Sequence, residues 1–264
     1  MNSLTESSEF NPARFLTEHA LTGDPSTPDL LILNQPIADF AAFAHLWKQT
    51  RYRICADGGA NRLYDMCNGD HRAQRADYLP SAIHGDLDSL RDDVREYYAV
   101  RGVEITQDHD QYSTDFGKAM NKIRAVESSS PQREVLVLGT LGGRVDQGLG
   151  LLHEMIREHK QNPTTRLWLF SERSVSFILG SRHNTLKGLK SEEVFTKYVG
   201  IIPIYGPAVI STSGLEWNVE AWDTSMGTQV SANNHVVEDE VKIDTNVPVL
   251  FTIERKQIAV ESQF

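Results

Sequence analysis

The sequence predicts an α/β fold, in which an N-terminal, mostly parallel sheet with helices on both faces is followed by a C-terminal antiparallel β-sandwich domain. Short apolar runs alternate with helical patterns over residues 29–170, and this rhythm is typical of a parallel sheet covered by helices. Over residues 171–264 the helical periodicity fades, and short β-rich runs are separated by Gly, Pro, Asn and Ser, as in a sandwich. Residues 1–28 are polar, so we expect a partly disordered leader.

The strands of the first domain are short aliphatic runs, and residues 135–138 form the clearest candidate for a strand buried on both faces. Pro36 suits the first turn of a helix, and Ser113 is a suitable N-cap for a later helix. In chain order the strands are predicted at 30–33, 52–56, 81–84, 103–105, 135–138 and 166–170. The helices are predicted at 36–47, 57–66, 90–100, 113–126 and 145–160, with an irregular surface excursion at 68–80. In the second domain, strands are predicted at 175–178, 199–204, 208–211, 229–230 and 247–253.

Composition narrows the classes of function. Acidic residues outnumber basic ones, 36 to 26, which gives a formal net charge of −10. We therefore expect no nucleic-acid partner, because such a partner requires a basic surface. No apolar run is long enough to span a membrane, and residues 1–28 lack the basic start and apolar core of a signal peptide. These features predict a cytoplasmic protein without a membrane partner.

A pair of acids follows the third predicted strand, in Gly85-Asp86-Leu87-Asp88-Ser89. In parallel sheets ligands collect at the carboxyl ends of the strands, and two acids spaced by two can point the same way in an extended segment. Mg²⁺ prefers carboxylate and phosphate oxygens. Asp86 and Asp88 are therefore candidate metal ligands, although for such a pair taken alone capping of the next helix is the favoured interpretation.

A second acidic segment covers residues 108–115 and ends at a predicted helix start. Helix N-termini stabilise negative charge, so Asp115 can serve simply as a residue of the first turn. Alternatively, Asp115 joins the metal site, and Gln111 or Thr114 contacts a ligand. These two interpretations stay open at the level of the residues alone.

Two strand-to-helix turns are rich in glycine. In residues 139–146, backbone N–H groups at Gly142 and Gly143 can surround a phosphate at the positive end of a helix. Arg144 offers a guanidinium fork for phosphate oxygens, and Asp146 follows it. The other turn runs from Asp57 to Asn61 and either lines a nucleotide pocket or forms a tight turn with an N-cap.

The second domain contains one candidate binding surface. Trp217 lies between polar residues after a glycine, which leaves open an exposed ring face for a flat ligand. A cationic ring gains about 0.5–2 kcal/mol on a tryptophan face. Core packing is the usual alternative for a single tryptophan.

Taken together, these segments resemble the thiamin pyrophosphokinase family, of the eukaryotic type. The resemblance runs from about residue 29 to the C-terminus and preserves the order of the family's motifs. The matching segments are Asp57-Gly58-Gly59-Ala60-Asn61, Gly85-Asp86-Leu87-Asp88-Ser89, Asp110-Gln111 with Thr114-Asp115-Phe116, Leu141-Gly142-Gly143-Arg144-Val145-Asp146, Gly214-Leu215-Glu216-Trp217-Asn218 and Ser231-Ala232-Asn233.

The resemblance implies a reaction in which ATP and thiamine give thiamine diphosphate and AMP. It implies an α/β nucleotide domain, a thiamine-binding β-sandwich, and a homodimer with active sites at the subunit interface. Asp86, Asp88 and Asp115 would hold Mg²⁺. The residues expected at the nucleotide or the reacting groups are Asp57, Asn61, Gln111, Thr114, Gly142, Gly143, Arg144 and Asp146. Those expected at thiamine are Trp217, Ser231 and Asn233.

Two other functions fit clustered acids. One is a metal-dependent phosphohydrolase that acts on nucleotides or thiamine phosphates, and the other is a catalytically inactive module that binds thiamine or a nucleotide. Formation of AMP only in the presence of thiamine distinguishes the kinase from both. For the kinase, the thiamine hydroxyl would attack the β-phosphorus of ATP, and the choice of the carboxylate that accepts its proton stays open.

Overall fold

A computed structural model describes residues 7–17, 27–128 and 130–256. The described residues form two compact units. Residues 27–172 form an α/β unit, whereas residues 7–17 and 173–256 form a β unit. None of the helices described is long and apolar enough to cross a membrane.

Strands and helices are numbered in chain order over the described residues. The strands are β1 (Ser8–Phe10), β2 (Asp29–Ile32), β3 (Arg53–Ala56), β4 (Ala82–Gly85), β5 (Glu104–Gln107), β6 (Arg133–Leu138), β7 (Thr165–Phe170), β8 (Ser174–Leu179), β9 (His183–Lys187), β10 (Phe195–Ile202), β11 (Ala208–Ser213), β12 (Trp222–Thr224), β13 (Ser231–His235), β14 (Glu240–Thr245) and β15 (Val249–Arg255). The α-helices are α1 (Phe40–Lys48), α2 (Gly59–Met66), α3 (Asp92–Ala99), α4 (Asp115–Ala125) and α5 (Val145–Gln161), and 3-10 helices cover Pro12–Phe15 and Gly69–Asp77.

The sheet of the α/β unit is parallel, with the strand order β5–β4–β3–β2–β6–β7. The chain begins this sheet in the middle, at β2, and adds strands on one side as far as β5. It then returns to the other side of β2 to add β6 and β7. The carboxyl ends of β2 and β6 therefore form the topological switch point, which is where open α/β sheets bind ligands.

Helices flank this sheet in two groups. α2 packs against β2 and β3 and contacts α3, whereas α4 packs against β3 and β4 and contacts α5. Every residue of β2 is buried, as expected for a strand covered on both faces. The predicted parallel sheet with flanking helices is confirmed.

The β unit contains two sheets, with the orders β1–β9–β14–β11–β12 and β8–β15–β10–β13. Phe10 of the first sheet and Phe177 of the second stack with their ring centroids 5.2 Å apart, so the two sheets face each other. Neighbouring strands are antiparallel except β1, which pairs in parallel with β9. The antiparallel β-rich domain is confirmed, with one parallel strand added from the N-terminal segment.

Several boundaries differ from the predictions because side-chain hydrogen bonds decide where an element starts. Helix α1 begins at Phe40, after Pro36, because the Asp39 carboxylate accepts a hydrogen bond from Ala42 N at 2.9 Å. Thr114 rather than Ser113 caps α4, since its hydroxyl accepts from Gly117 N at 3.1 Å. The excursion at 68–80 contains the 3-10 helix Gly69–Asp77.

One prediction in the β unit is wrong, and some of its strands, β9 among them, were not predicted. Residues 229–230 are not a strand, because the carbonyl of Gln229 accepts hydrogen bonds from Ser225 N and the Thr224 hydroxyl and so closes a turn. Strand β9 was not predicted, because its sequence, His-Asn-Thr-Leu-Lys, is mostly polar. Its pairing with β14 and β1, rather than its own composition, makes it a strand.

Candidate active site

Three carboxylates meet at the carboxyl edge of the parallel sheet, and we call Asp57, Asp86 and Asp115 the acidic cluster. Asp57 follows β3, Asp86 follows β4, and Asp115 is the first residue of α4. One carboxylate oxygen from each of them lies within 4.8 Å of the others. The three acids are distant in sequence, but β3, β4 and β5 are neighbours in the sheet, and so the residues that follow them meet.

The backbone around Gly85 sets the spacing of the cluster. A Cβ atom at Gly85 would lie 2.9 Å from Asp115 Oδ1 and 2.9 Å from Asp57 Cβ, which is closer than atoms can pack. Asp57 itself has a φ of 41°, a strained value for a residue with a side chain. Its amide donates to the carbonyl of His84 at 3.0 Å, and its Oδ2 accepts from Ser89 N at 3.2 Å. These bonds hold Asp57 in its strained conformation.

The electrostatics of the cluster favour a positive ligand. Oδ1 of Asp57 and Oδ1 of Asp115 are buried and accept no hydrogen bond from any described residue. Burial is the main cause that raises the pKa of each carboxyl above its ordinary range, and the charge on Asp86 raises both pKa values further. Buried carboxylates need a partner, and clustered carboxylate oxygens are the donors that Mg²⁺ and similar hard cations accept. The residues therefore fit a hard divalent cation.

Lys118 is a member of this site that was not predicted from the sequence. Its side chain is only 2% exposed, and its Nζ lies 3.7 Å from Asp86 Oδ2 and 4.0 Å from Asp115 Oδ1. The available signal was its position three residues after Asp115, which places both side chains on one face of α4. A lysine on a helix is usually exposed, and so this spacing alone did not predict that Lys118 belongs to the site.

Two predicted residues lie beside the cluster without joining it. Asp88 is exposed, and its carboxylate accepts a hydrogen bond from the Ser89 hydroxyl at 3.0 Å. The amide of Asn61 is largely buried, donates to Ser89 O at 2.7 Å and accepts from Arg91 N at 3.1 Å. Asn61 thus holds the segment that follows Asp88, and both ends of its side-chain amide are used in these hydrogen bonds.

The segment before α4 presents polar groups next to Asp115. The Thr114 hydroxyl accepts one hydrogen bond as the cap of α4. Gln111 is exposed, and its side-chain amide makes only a long hydrogen bond, 3.4 Å, to the carbonyl of His109. Tyr112 is 99% exposed. This segment can therefore contact a ligand through Gln111, and the Thr114 hydroxyl keeps its own O–H as a donor.

The glycine-rich loop lies at the switch point and leads into α5. The Gln35 side chain joins the loop to the end of β2, because its Nε2 donates to Thr140 O at 3.3 Å and its Oε1 accepts from Thr140 N. Gly143 has a φ of 81°, which favours glycine. Gly142 N donates to the Thr140 hydroxyl at 2.9 Å. Gln35 was not predicted as a site residue, and its only signal was its place shortly after β2, which ends at Ile32.

Arg144 and Asp146 form an exposed ion pair at the start of α5. Nε of Arg144 donates to Asp146 Oδ1 at 3.2 Å, and NH2 donates to Oδ2 at 2.6 Å. The two side chains are 75% and 64% exposed. The bond from Arg144 lowers the pKa of Asp146, which makes Asp146 a weak proton acceptor while the pair persists.

In the β unit, Trp217 presents an aromatic face to solvent. The residue is 53% exposed, and the ring of His235 packs against it at 4.8 Å. The side chain of Asn234 fixes its backbone, since Oδ1 accepts from Trp217 N at 3.2 Å and Nδ2 donates to Trp217 O at 2.9 Å. Glu216 forms a hydrogen-bonded pair with His235 Nδ1. Trp217 is therefore a supported surface residue and not a core residue.

Ser231 and Asn233 lie on β13, the strand whose Asn234 holds the backbone of Trp217. Ser231 pairs with Ile201 of β10, and Asn233 is exposed with a φ of 71°. The buried asparagine is Asn234, which was not predicted. Sequence position alone could not separate Asn233 from Asn234, because the pairing of β13 with β10 shifts register between Ala232 and Asn234 and leaves Asn233 as an unpaired, bulged residue.

Family models match both units in the order of the chain. The model described as thiamin pyrophosphokinase, catalytic domain, matches residues 43–167. The model described as thiamin pyrophosphokinase, vitamin B1 binding domain, matches residues 182–250. The first range contains the acidic cluster, Lys118 and Arg144, and the second contains Trp217.

Related proteins match this chain in sequence over most of their own length. The chain is 34% identical over 243 residues to thiamine pyrophosphokinase 1 of Arabidopsis thaliana, and the aligned region covers 89% of this chain and 88% of the relative. It is 30% identical over 274 residues to thiamine pyrophosphokinase of Saccharomyces cerevisiae, with 85% and 84% covered. The crystal structure of yeast thiamin pyrophosphokinase matches with a TM-score of 0.84 at 26% identity, over 99% of this chain and 95% of that one.

Proposed function

The chain belongs to the thiamin pyrophosphokinase family, and from this premise we propose how its residues perform the reaction. The enzyme transfers the pyrophosphoryl group of ATP to the hydroxyl of thiamine, giving thiamine diphosphate and AMP. The observation that carries the proposal is the convergence of three carboxylates in the region matched by the catalytic-domain model. Phosphoryl transfer of this kind depends mainly on positioning and charge neutralisation.

Asp57, Asp86 and Asp115 hold Mg²⁺ in this proposal. When bound, the ion supplies positive charge to the phosphate oxygens of the nucleotide. Support comes from the buried, unpaired oxygens of Asp57 and Asp115 and from the mutual proximity of the three carboxylates. Asp88 stays a proposed fourth acid, because it follows directly on the same turn and its exposed carboxylate can rotate.

The nucleotide phosphates lie against loop 139–144 and the start of α5. The backbone N–H groups at this helix start carry partial positive charge. Arg144 exchanges its bond with Asp146 for bonds to the phosphates and stabilises charge that develops during transfer. Gln111 contacts the nucleotide or the substrate from the other side, since its amide is exposed.

Thiamine stacks on the ring of Trp217, with Ser231 and Asn233 nearby on β13. The exposed face of Trp217 supports this assignment, because a cationic aromatic ring gains energy from both stacking and charge on a tryptophan face. Glu216 contributes a carboxylate next to this face, which favours a cationic ligand further.

We propose a homodimer in which active sites lie at the subunit interface. At the start of α5, Val145 is 73% exposed and Leu149 is 62% exposed. These two apolar residues are four apart and share a helix face. An exposed apolar face beside a functional loop is typical of an interface. The cytoplasmic location likewise stays a prediction.

The test is to incubate the protein with MgATP and thiamine and to identify the products by mass spectrometry. We expect thiamine diphosphate and AMP in equal amounts, and AMP only when thiamine is present. Release of ADP, phosphate or pyrophosphate without thiamine would identify a phosphohydrolase instead.

Single Asp→Asn variants test the metal site. Asp57→Asn, Asp86→Asn and Asp115→Asn are expected to abolish turnover and the binding of Mg²⁺ in calorimetry while circular dichroism stays unchanged. Asp88→Asn is the matched comparison, because it lies on the same turn outside the cluster. Full activity in Asp86→Asn contradicts the metal assignment, and loss of Mg²⁺ binding in Asp88→Asn adds Asp88 to the ligands.

A further inference from the structure

Lys118 places a buried positive charge within the acidic cluster. It lies on α4, which packs against β3 and β4, and its side chain is 2% exposed. Removing an ammonium from water is costly unless negative charge surrounds it. Asp86 and Asp115 supply that charge, at 3.7 Å and 4.0 Å from Nζ.

These two distances exceed the length of a hydrogen bond. The ammonium therefore lowers the charge of the cluster without directly engaging the carboxylate oxygens it faces. The lone pairs of Asp115 Oδ1 stay available, and this oxygen accepts no hydrogen bond from the described part of the chain. A lysine that only anchored the fold would be expected to form a direct, short ion pair, as Lys122 does with Glu104 at 2.6 Å.

We propose that Lys118 is a positioning residue that acts as a built-in counter-charge, reducing the acidic cluster from three negative charges to a net two. This net charge matches one divalent cation. The inference rests on the proposed metal site, and it adds that Lys118 tunes the cluster for a divalent ion and holds Asp86 and Asp115 together before the ion binds.

The proposal predicts a gain in cation affinity when the ammonium is removed. Lys118→Met is expected to lower the Kd for Mg²⁺, measured by calorimetry without nucleotide, by about tenfold, since a unit charge a few ångströms away interacts strongly at a partly buried site. Coulomb energy scales with the charge of the ion, and so the Kd for Tb³⁺ is expected to fall by about thirtyfold. The preference for Tb³⁺ over Mg²⁺ therefore rises.

A second readout is the melting temperature in EDTA and in Mg²⁺. Without Lys118 the metal-free cluster is more repulsive, so Lys118→Met is expected to melt lower in EDTA than wild type. Tighter binding then makes the gain in Tm on adding Mg²⁺ larger than in wild type. Lys118→Gln undergoes the same measurements if the methionine variant does not fold.

Two further variants serve as controls. Lys118→Arg keeps the charge and is expected to keep the wild-type ranking of Mg²⁺ and Tb³⁺. Lys122→Met removes a lysine one turn further along α4 that pairs with Glu104, and it is expected to leave both affinities unchanged.

Unchanged or weaker Mg²⁺ binding in the variants that lack the ammonium overturns the proposal. An increased KM for MgATP with unchanged Mg²⁺ affinity also overturns it, and makes Lys118 a phosphate ligand. If wild type itself binds no Mg²⁺, the metal site fails and the proposal falls with it. If wild type binds Mg²⁺ and the variants match it, only the role of Lys118 fails.

Discussion

Substitution of Gly85 by alanine is expected to disrupt the active site through one added methyl group. The new Cβ would lie 2.9 Å from Asp57 Cβ and 2.9 Å from Asp115 Oδ1. Carbon atoms pack at about 3.5–4.0 Å, so Asp57 and residue 85 must separate by about 0.6 Å or more. The Asp115 carboxylate can rotate away, but Asp57 cannot move freely because its strained backbone is bonded to His84.

The magnitude follows from these contacts. Overpacking of this kind costs about 1–3 kcal/mol, and each kcal/mol lowers the Tm of a chain of this size by about 2–4 °C. Displacement of a reacting group by ~1 Å costs up to ~100-fold in rate. For a shift somewhat smaller than that, we expect kcat/KM for thiamine to fall about 10- to 100-fold, with weaker Mg²⁺ binding.

The assay combines steady-state kinetics, Mg²⁺ calorimetry and thermal melts of the Gly85→Ala protein. Gly102→Ala is the matched control, because Gly102 has a φ of 78° and no atom of the described residues lies within 4 Å of the position that an alanine Cβ would take there. It is expected to lose stability through its backbone alone, about 1–2 kcal/mol, and to keep wild-type Mg²⁺ affinity. Wild-type kinetics and Mg²⁺ affinity in Gly85→Ala would refute the reasoning.

Three further predictions concern charge, substrate binding and assembly. Burial raises the pKa of Asp57, so the charged carboxylate costs stability in the folded, metal-free protein, and stability is lost as pH rises from the ordinary to the raised pKa. Asp57→Asn is expected to remove this loss and to melt at a higher temperature than wild type at neutral pH in EDTA; an unchanged pH profile contradicts it. Trp217→Ala is expected to raise the KM for thiamine about 2- to 30-fold without changing the KM for ATP. Asn234→Ala should raise the same KM and cost about 1–3 kcal/mol in stability, whereas Asn233→Ala should leave stability unchanged. Leu149→Glu is expected to yield monomers in light scattering, and a dimer of wild-type mass would exclude α5 from the interface.

The parallel sheet was predictable because its information is local. Residues 30–33 and 135–138 are aliphatic throughout, and the polar residues after each strand mark the functional edge. Asp86 and Asp115 were recognised as a potential metal site for this reason. Asp57 was assigned to the nucleotide instead, because the order of β3 and β4 in the sheet, which brings it to Asp86, is not encoded in either segment.

Other features depend on contacts between distant residues. Lys118 has the pattern of an exposed helical residue until α4 packs against β3 and β4. Asn234 and Asn233 are adjacent, and only the register of β13 against β10 buries one and exposes the other. The bond between Gln35 and Thr140 joins residues 105 positions apart. No periodicity within a short window contains this information.

Strand β1 has a consequence for the synthesis of the protein. Ser8–Phe10 leaves the ribosome before the α/β unit, whereas its partner β9, which ends at Lys187, leaves after that unit. At about 5–20 residues per second, β1 waits on the order of 10–35 s for that partner, while the whole α/β unit is translated. The β unit therefore joins segments on both sides of the α/β unit in the sequence, so the pairing of β1 with β9 reports that synthesis has passed the catalytic region. Fusions that block Ser8–Phe10 should slow this pairing while leaving the parallel sheet to fold.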